Sequence, residues 1–262
     1  MMLNLAAIAA TLGNNARRFD IDLLDSCDST NAVLLARADA GAPSGSVVIA
    51  ERQTAGRGRR GRAWFSAPGD SLTFSVLWRF AHGTASAGLS LAVGLAVANA
   101  IEKVGSGGTA PIQLKWPNDL LKNGRKLGGI LVELVPGTRS ESGFAAVIGI
   151  GLNLRLPEAM PNNLRIQSAT IDETPKATEL LAAILADLLD VLGSFETAGF
   201  APLRDAWSAR HAFENAPVRL LSDFVPSRDG LCRGVDTDGA LLFEADGRVE
   251  RVLSGEISLR GK

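Results

Sequence analysis

The segment of residues 51–64, with the sequence ERQTAGRGRRGRAW, combines arginines and glycines in a way that suits anion binding. It holds five arginines and three glycines, with no acidic residue after Glu51. Glycines let backbone N–H groups approach an anion, and arginines add paired donors for a carboxylate or a phosphate. We therefore predict an anion-binding loop here, in preference to an ordinary solvated basic hairpin.

The glycines of this loop, Gly56, Gly58 and Gly61, also spell G-x-G-x-x-G, the fingerprint of dinucleotide-binding Rossmann folds. That site needs a strand before the glycines and a helix that opens on them. A strand precedes them, but Pro68-Gly69 and a second strand pattern follow. The Rossmann interpretation therefore fails on context, and the chain has no P-loop motif either.

A second polar cluster lies in the sequence KWPND, residues 115–119. Lys115 ends a predicted strand just before Trp116-Pro117, where its ammonium can be presented to a phosphate; the alternative is an exposed lysine without a role. Asn153 ends an apolar strand pattern, and a buried amide must find hydrogen-bond partners there. Its alternative is a purely structural hydrogen bond.

Composition limits the classes of protein that could carry these residues. The chain has 262 residues, 46% of them apolar, and a formal net charge of −1. A general nucleic-acid binder usually has a basic excess, which this chain lacks. Its positive charge is local, as a site for a small anion requires.

The sequence indicates neither a targeting signal nor a cysteine metal site. The apolar run near the N-terminus is short and no Lys or Arg precedes it, so we predict no secretory signal. No run of ~18 uncharged apolar residues occurs, which predicts no membrane span. Cys27 and Cys232 lack metal-site spacing. We predict a cytoplasmic protein with no metal ligands of its own.

The hydrophobic pattern predicts alternating elements that would position the polar residues. Strands are predicted at residues 18–24, 46–50, 71–79, 112–116 and 145–154, and helices at residues 31–40, 87–104 and 178–195. Asn123-Gly124 separates two further apolar runs and predicts a tight hairpin turn, because both residues tolerate positive φ.

After about residue 212 the pattern changes to short alternating runs over some forty residues. Asp229-Gly230, Asp238-Gly239 and Asp246-Gly247 separate these runs and predict turns. Such a pattern is typical of a small barrel or sandwich. We predict an α+β domain with a mixed or antiparallel sheet and helices, followed by a small all-β domain.

Six motifs together resemble those of biotin–protein ligases, the family that attaches biotin to carrier domains. They are DSTN (28–31), ERQTAGRGRRGRAW (51–64), KWPNDL (115–120), KLGGILVE (126–133), GIGLN (149–153) and SGEISLR (254–260). The resemblance runs from about residue 24 to residue 260. Thr54 and Leu152 are small departures from the family pattern.

The resemblance implies a fold, a reaction and partners. It implies a catalytic domain similar to class II aminoacyl-tRNA synthetases at residues 1–212 and an SH3-like β-barrel domain at residues 213–262. It implies that the biotin carboxylate attacks the α-phosphate of ATP, with Mg²⁺, to give biotinoyl-5′-AMP. A lysine of a biotin carboxyl carrier domain then attacks this adenylate. The resemblance leaves a monomer or a homodimer open.

The resemblance also assigns biotin contacts. Ser29, Thr30 and Gln53 would bond the ureido head, although helix capping alone would also explain the first two. Gly129 would admit the ring system. The full predicted biotin set is Ser29, Thr30, Asn31, Gln53, Gly56, Arg57, Gly58, Arg59, Lys126 and Gly129.

The predicted catalytic residues are Lys126, Arg59 and Lys115, with Lys126 reaching the carbonyl under attack. Asp119 would either hold Mg²⁺ indirectly or only fix its turn. The predicted nucleotide contacts are Arg57, Arg59, Arg62, Trp64, Lys115, Asn118, Asn153, Arg219 and Arg260. The alternative for Trp64 is ordinary core packing. His82 and His211 match no motif, which suggests surface or capping positions.

Three rival functions remain open at this point. A lipoate or octanoate ligase or transferase has a related fold and takes a different acyl chain. A DNA-binding repressor would need a winged helix-turn-helix domain, and only about eighteen residues precede the first predicted strand. A binding module without activity is disfavoured because every matched cation is present.

Overall fold

The computed structural model describes residues 3–105, 110–135, 143–171, 177–222, 226–253 and 257–261. The helices are α1 (Leu5–Leu12), α2 (Thr30–Asp39), α3 (Leu89–Val104), α4 (Asn162–Arg165), α5 (Ala177–Ala198) and α6 (Arg204–Ser208). The strands are β1 (Asp20–Cys27), β2 (Ser46–Gln53), β3 (Ser71–Phe80), β4 (Gln113–Lys115), β5 (Asp119–Lys122), β6 (Arg125–Leu134), β7 (Phe144–Asn153), β8 (Pro217–Ser222), β9 (Arg228–Val235), β10 (Leu241–Ala245), β11 (Arg248–Val252) and β12 (Ile257–Gly261).

The first seven strands form one mixed sheet in the order β1-β2-β3-β7-β6-β5-β4. Strands β1 and β2 are parallel and are joined by the crossover helix α2, whereas the other neighbours are antiparallel. The prediction of an α+β fold with a mixed sheet and helices is therefore confirmed.

Alternation along the central strands decides what each face of this sheet contacts. On β3, Phe74 and Val76 pack into the core cluster shared with α3 and α5. Their neighbours Thr73 and Ser75 point to the opposite face, as period-two alternation requires. On that face α2 covers one part through Leu34 and Ala38. The part beside it remains open and forms a cleft.

The hairpin predicted at Asn123-Gly124 is present between β5 and β6. Asn123 has φ 51° and Gly124 has φ 71°, and a two-residue turn that fits the twist of the strands requires both values to be positive. Because β6 starts directly after this turn, Lys126 is carried to the edge of the cleft.

The last five strands form an antiparallel sheet in the order β11-β10-β9-β8-β12. Its apolar side buries Val218, Cys232, Phe243 and Leu259. Part of the predicted SGEISLR motif, residues 254–256, lies outside the described residues.

Three interpretations from the sequence were incomplete or wrong. Helix α1 was not predicted, although Ile8 and Leu12 pack in the core. Asp229-Gly230 is not a turn but lies inside β9, where a Cβ on Gly230 would come within 2.4 Å of the Phe243 ring. His211 is not at the surface; it is buried against Trp207 and bonds Glu214.

Within the described part of the chain, no helix is both long and apolar enough to cross a bilayer.

Candidate active site

The open part of the sheet face is a cleft of about 950 Å³ between the mixed sheet, the arginine loop and the end of β12. Fifteen of the seventeen predicted site residues line it. They are Ser29, Thr30, Asn31, Gln53, Arg57, Gly58, Arg59, Arg62, Trp64, Lys115, Asn118, Lys126, Gly129, Asn153 and Arg260. The fold therefore brings together residues from six separate segments of the chain.

One end of the cleft is a buried polar network around the start of α2. The Thr30 N–H donates to Gln53 Oε1 over 2.7 Å, and the Thr30 hydroxyl lies 3.1 Å from the same oxygen. Ser75 Oγ lies 2.7 Å from Thr30 Oγ1 and 2.6 Å from Asn31 Oδ1. Because Gln53 Oε1 accepts from Thr30, the NH2 group of the Gln53 side chain remains as a hydrogen-bond donor.

Asn31 extends this network to β6. Its amide donates to Glu133 Oε2 over 2.6 Å and to the Leu131 carbonyl over 3.3 Å. Ser29 is the N-cap residue of α2, yet its side chain makes no capping hydrogen bond. Capping by its hydroxyl therefore does not account for Ser29, which lies at the cleft wall.

Glycines in register across the sheet leave room above the cleft floor. Thr73 pairs with Gly151, Gly151 pairs with Gly129, and Gly129 pairs with Asp119. A Cβ on Gly151 would lie 2.6 Å from the Trp64 ring. At Gly129 it would lie 3.3 Å from Lys126 Nζ, the movable end of a flexible side chain. Gly151 therefore makes room for the Trp64 ring, whereas a side chain at Gly129 would project into the cleft.

The arginine loop is a small hairpin, residues 56–64, and we call it the arginine hairpin. The Trp64 N–H donates to the Gly56 carbonyl over 2.9 Å, and the Gly58 N–H donates to the Arg62 carbonyl over 2.7 Å. Its tip turns at Arg60 and Gly61, where φ is 59° and 66°. No α-helix opens on the glycines, since only a three-residue 3-10 turn, Arg59–Gly61, lies at the tip, which agrees with the rejection of a Rossmann site.

Opposite the arginine hairpin, two lysines share one carboxylate. Lys115 Nζ lies 2.7 Å from Asp119 Oδ2, and Lys126 Nζ lies 2.5 Å from Asp119 Oδ1. Burial alone would raise the pKa of Asp119, but the two ammonium groups outweigh it and hold that pKa well below its usual range. Burial lowers the pKa of Lys115, and nearby Arg260 and Lys126 act in the same direction against Asp119.

Asn118 connects this lysine pair to the arginine hairpin. Its carboxamide donates to the Ile130 carbonyl over 2.8 Å and accepts from Arg59 Nη1 over 3.3 Å. The Ile130 N–H donates back to the Asn118 carbonyl over 3.0 Å. The hydrogen bond from Arg59 to Asn118 therefore links the arginine hairpin to the turn between β4 and β5, across the cleft.

Asn153 presents a buried acceptor to the cleft. Its amide nitrogen donates to the carbonyls of Lys126 (3.3 Å) and Ala169 (3.2 Å). Its Oδ1 is buried and has no hydrogen-bond partner within the part of the chain that the structure describes. A buried acceptor without a donor is costly, so this atom suits a ligand that brings an N–H group.

Two predicted residues do not line the cleft. Gly56 lies at the base of the arginine hairpin, where a Cβ would come within 2.6 Å of the Trp64 carbonyl. It allows the close crossing of two backbones, and its predicted contact with an anion stays a prediction. Arg219 is exposed and makes a bidentate ion pair with Asp229, at 2.7 and 3.0 Å. The structure does not bring Arg219 to the cleft with Arg260.

Some residues of the site were missed by sequence reasoning. Ser75 and Glu133 orient Thr30 and Asn31, and Gly149 lies under Asn31, with a Cβ position 2.3 Å from its Oδ1. The signal for Ser75 was the period-two series of hydroxyl residues Ser71, Thr73 and Ser75 in an otherwise largely apolar strand. For Gly149 and Gly151 it was the alternation of glycine with apolar residues in GIGLN.

Comparisons with known proteins agree on one family. The model of the "Biotin/lipoate A/B protein ligase family" matches residues 23–153. The bifunctional ligase/repressor BirA of Escherichia coli (strain K12) is 41% identical over 250 residues, 92% of this chain and 74% of that protein. The biotin–[acetyl-CoA-carboxylase] ligase of Paracoccus denitrificans is 34% identical over 91% of this chain and 100% of that protein.

A solved structure gives the same result. The biotin protein ligase from Aquifex aeolicus in complex with biotin and ATP superimposes with a TM-score of 0.78 at 28% sequence identity. The match covers 93% of this chain and 99% of that one, so it includes both sheets.

Proposed function

Because the chain belongs to the biotin/lipoate A/B protein ligase family, we propose that it joins biotin to a lysine of a carboxyl carrier domain at the expense of ATP. The observation that carries this assignment is the convergence of cations from distant segments on one cleft. The arginine hairpin, the Lys115–Lys126 pair and Arg260 all line it. The chain is a biotin protein ligase on this basis, and its relatives by name support the same activity.

The reaction proceeds in two steps. A biotin carboxylate oxygen attacks the α-phosphorus of ATP, the bond to the β-phosphate oxygen breaks, and pyrophosphate leaves. The amine of the acceptor lysine then attacks the carbonyl of biotinoyl-5′-AMP, AMP leaves, and the amine loses a proton. Both steps concentrate negative charge, so preorganised cationic donors supply much of the stabilisation.

The polar end of the cleft binds the biotin head. Ser29, Thr30 and Gln53 bond the ureido group, and Asn31 is oriented from below by Ser75 and Glu133. Gly129 leaves space for the fused rings, and Gly151 makes room for the Trp64 ring. Arg57 and Arg59 on the arginine hairpin then meet the carboxylate at the other end of the biotin tail.

The opposite end binds the nucleotide. Asn153 Oδ1 accepts from the amino group of adenine, which would satisfy its orphaned acceptor. Trp64, with its Nε1–H directed at Thr73 Oγ1 over 3.4 Å, offers a ring face beside it. Arg62, Lys115, Asn118 and Arg260 surround the phosphates. Lys126 donates to the carbonyl oxygen as it is attacked.

We propose that Mg²⁺ enters the cleft bound to ATP, rather than at a metal site formed by the protein alone. Among the described residues no group of three His, Cys, Asp or Glu side chains could hold a metal ion. Asp119 is engaged by two ammonium groups, so it fixes the turn and does not fit a metal ligand. Mg²⁺ usually arrives on the phosphates of its nucleotide, with few protein ligands.

The finer architecture is part of the proposal. We place the catalytic domain, of class II synthetase type, at residues 1–212 and an SH3-like domain at residues 213–262. The change from the seven-stranded to the five-stranded sheet supports this division. A monomer or a homodimer and a cytoplasmic location stay predictions.

The test of function is formation of an acyl-adenylate from ATP, Mg²⁺ and one of several acids. We expect biotinoyl-5′-AMP from biotin and at least tenfold less product from lipoate or octanoate. A preference for either of those acids would assign the chain to the lipoate side of the family instead. The comparisons favour biotin, because the Paracoccus denitrificans relative and the Aquifex aeolicus structure carry biotin in their names.

Substitution Gly129→Val should block biotin binding. The new side chain would project into the cleft beside Lys126 Nζ, which can shift, so the fold should survive. Titration calorimetry should show biotin affinity reduced at least tenfold. Gly193→Val is the control, because a Cβ there meets nothing within 4 Å. Unchanged affinity in Gly129→Val would place the biotin rings elsewhere.

The arginine hairpin should close further over bound adenylate. Its arginines place like charges close together, and a bound anion would reduce their mutual repulsion. Exclusion of water would protect the adenylate from hydrolysis. We expect the amides of residues 56–60 to exchange fast in the free protein and to slow markedly with adenylate. Exchange that is already slow in the free protein would mean that the hydrogen-bonded hairpin does not open without a ligand and acts as a fixed anion nest.

A further inference from the structure

Lys115 is held in place by elements outside the mixed sheet. The residue before it, Leu114, donates its N–H to the Arg210 carbonyl over 2.8 Å. The Leu114 carbonyl accepts from the Ala212 N–H over 2.9 Å. The segment that joins the two sheets is therefore paired with the chain directly beside this lysine.

The residue after Lys115 is held in a different way. Trp116 is fully buried, and its indole N–H donates to the Gly239 carbonyl over 3.1 Å. Gly239 lies in the turn between β9 and β10 of the five-stranded sheet. A Cβ on Gly239 would lie 2.9 Å from the Gly88 Cα and 2.8 Å from Leu91, so this turn is wedged tightly against the start of α3.

The turn is braced from its own side. Asp236 Oδ1 accepts from the N–H groups of Asp238 (2.9 Å) and Ala240 (3.0 Å). Arg251 pairs with both Asp236 and Asp238. The Gly239 carbonyl is thus presented to Trp116 by a rigid loop.

We propose that Trp116 is a positioning residue through which the five-stranded sheet sets the nucleotide half of the cleft. Its indole bond to Gly239 fixes the turn that carries Lys115 and Asn118. The polar network that faces biotin is a separate set of contacts, in which Thr30 bonds both Gln53 and Ser75. This inference rests on the proposed function and names a role that the C-terminal sheet has in it.

The test compares Trp116→Phe with the unchanged chain in biotin-dependent exchange between ATP and pyrophosphate. Phenylalanine keeps an aromatic ring but removes the N–H donor and part of the indole volume, so the Gly239 carbonyl loses that donor. We expect the KM for ATP to rise about tenfold, the size of effect that such a loss carries. Biotin affinity, measured by calorimetry without ATP, should stay within twofold.

Trp78→Phe is the matched control, because Trp78 is buried in β3 and belongs to the core away from the cleft. It should leave the ratio of the two affinities unchanged even if it lowers the Tm. An unchanged KM for ATP in Trp116→Phe, or an equal loss of both affinities, would overturn the proposal. Failure of the unchanged chain to exchange would instead overturn the function itself.

A second pair of variants changes Asp236, which braces the turn between β9 and β10. Asp236→Ala removes the acceptor that braces Gly239 without touching Trp116 or the cleft, so it should also raise the KM for ATP selectively. Asp236→Asn keeps a carbonyl oxygen for both N–H groups and should restore most of the affinity. If neither variant changes the KM for ATP, the turn does not position the site.

Discussion

Lys126→Ala should lower the rate of adenylate formation by ~10²–10³, the usual effect of losing one preorganised donor to a developing oxyanion. Lys126 lies on β6 directly after the hairpin turn, with Nζ 2.5 Å from Asp119 and beside the Gly129 position where biotin is placed. Its side chain is partly exposed, so the fold should remain intact. Biotin-dependent exchange between ATP and pyrophosphate measures the rate.

Lys103→Ala is the control for the Lys126 variant. Lys103 pairs with Asp187 between α3 and α5, away from the cleft. It should leave the exchange rate unchanged within twofold. A Lys126→Ala enzyme within threefold of the unchanged chain would remove Lys126 from the reaction.

Asp119→Ala should destabilise the protein by about 3–5 kcal/mol, the range found when one partner of a buried ion pair is removed. The variant leaves Lys115 buried beside Arg260 and Lys126 without its counter-ion. Unfolding in denaturant measures the difference. Asp22→Ala is the comparison, because its ion pair with Arg37 is exposed and should contribute under about 1 kcal/mol.

The same carboxylate makes a prediction about pH. The pKa of Asp119 in the folded protein lies below its value in the unfolded chain, about 3.9. Its contribution is therefore complete above that unfolded value and is lost as the pH falls through the folded one. The stability difference between the unchanged chain and Asp119→Ala should shrink below about pH 4. A difference that does not depend on pH would contradict the ion-pair explanation.

Much of the fold followed from local patterns. The Asn123-Gly124 turn, the helices α3 and α5 and the central strands depend on positive φ and on apolar periodicity, which are visible within a short window. Helix α1 has little polar contrast, and its burial depends on contact with α5. Asp229-Gly230 has the composition of a turn, but close packing against Phe243 requires a glycine inside a strand.

The site residues also fall into two groups: those that local sequence motifs identify and those whose role depends on tertiary contacts. The cations and Asn153 stand in recognisable motifs, and the fold brings them together in one cleft. Ser75 and Glu133 were not singled out, although the strand pattern around Ser75 and the KLGGILVE motif contain them, because their importance depends on the placement of α2 over the sheet. Arg219 was assigned by family resemblance outside these motifs, and in the structure it is exposed and paired with its strand neighbour Asp229.

Transfer of biotin to an acceptor lysine tests the central claim most directly. The chain is incubated with ATP, Mg²⁺, biotin and a purified biotin carboxyl carrier domain. The mass of the acceptor is then measured by intact mass spectrometry. We predict one added biotinoyl group on one lysine, only when ATP and biotin are both present. It should disappear when that lysine is replaced by arginine. An unmodified acceptor, or one that gains an octanoyl or lipoyl group in preference, would contradict the assignment.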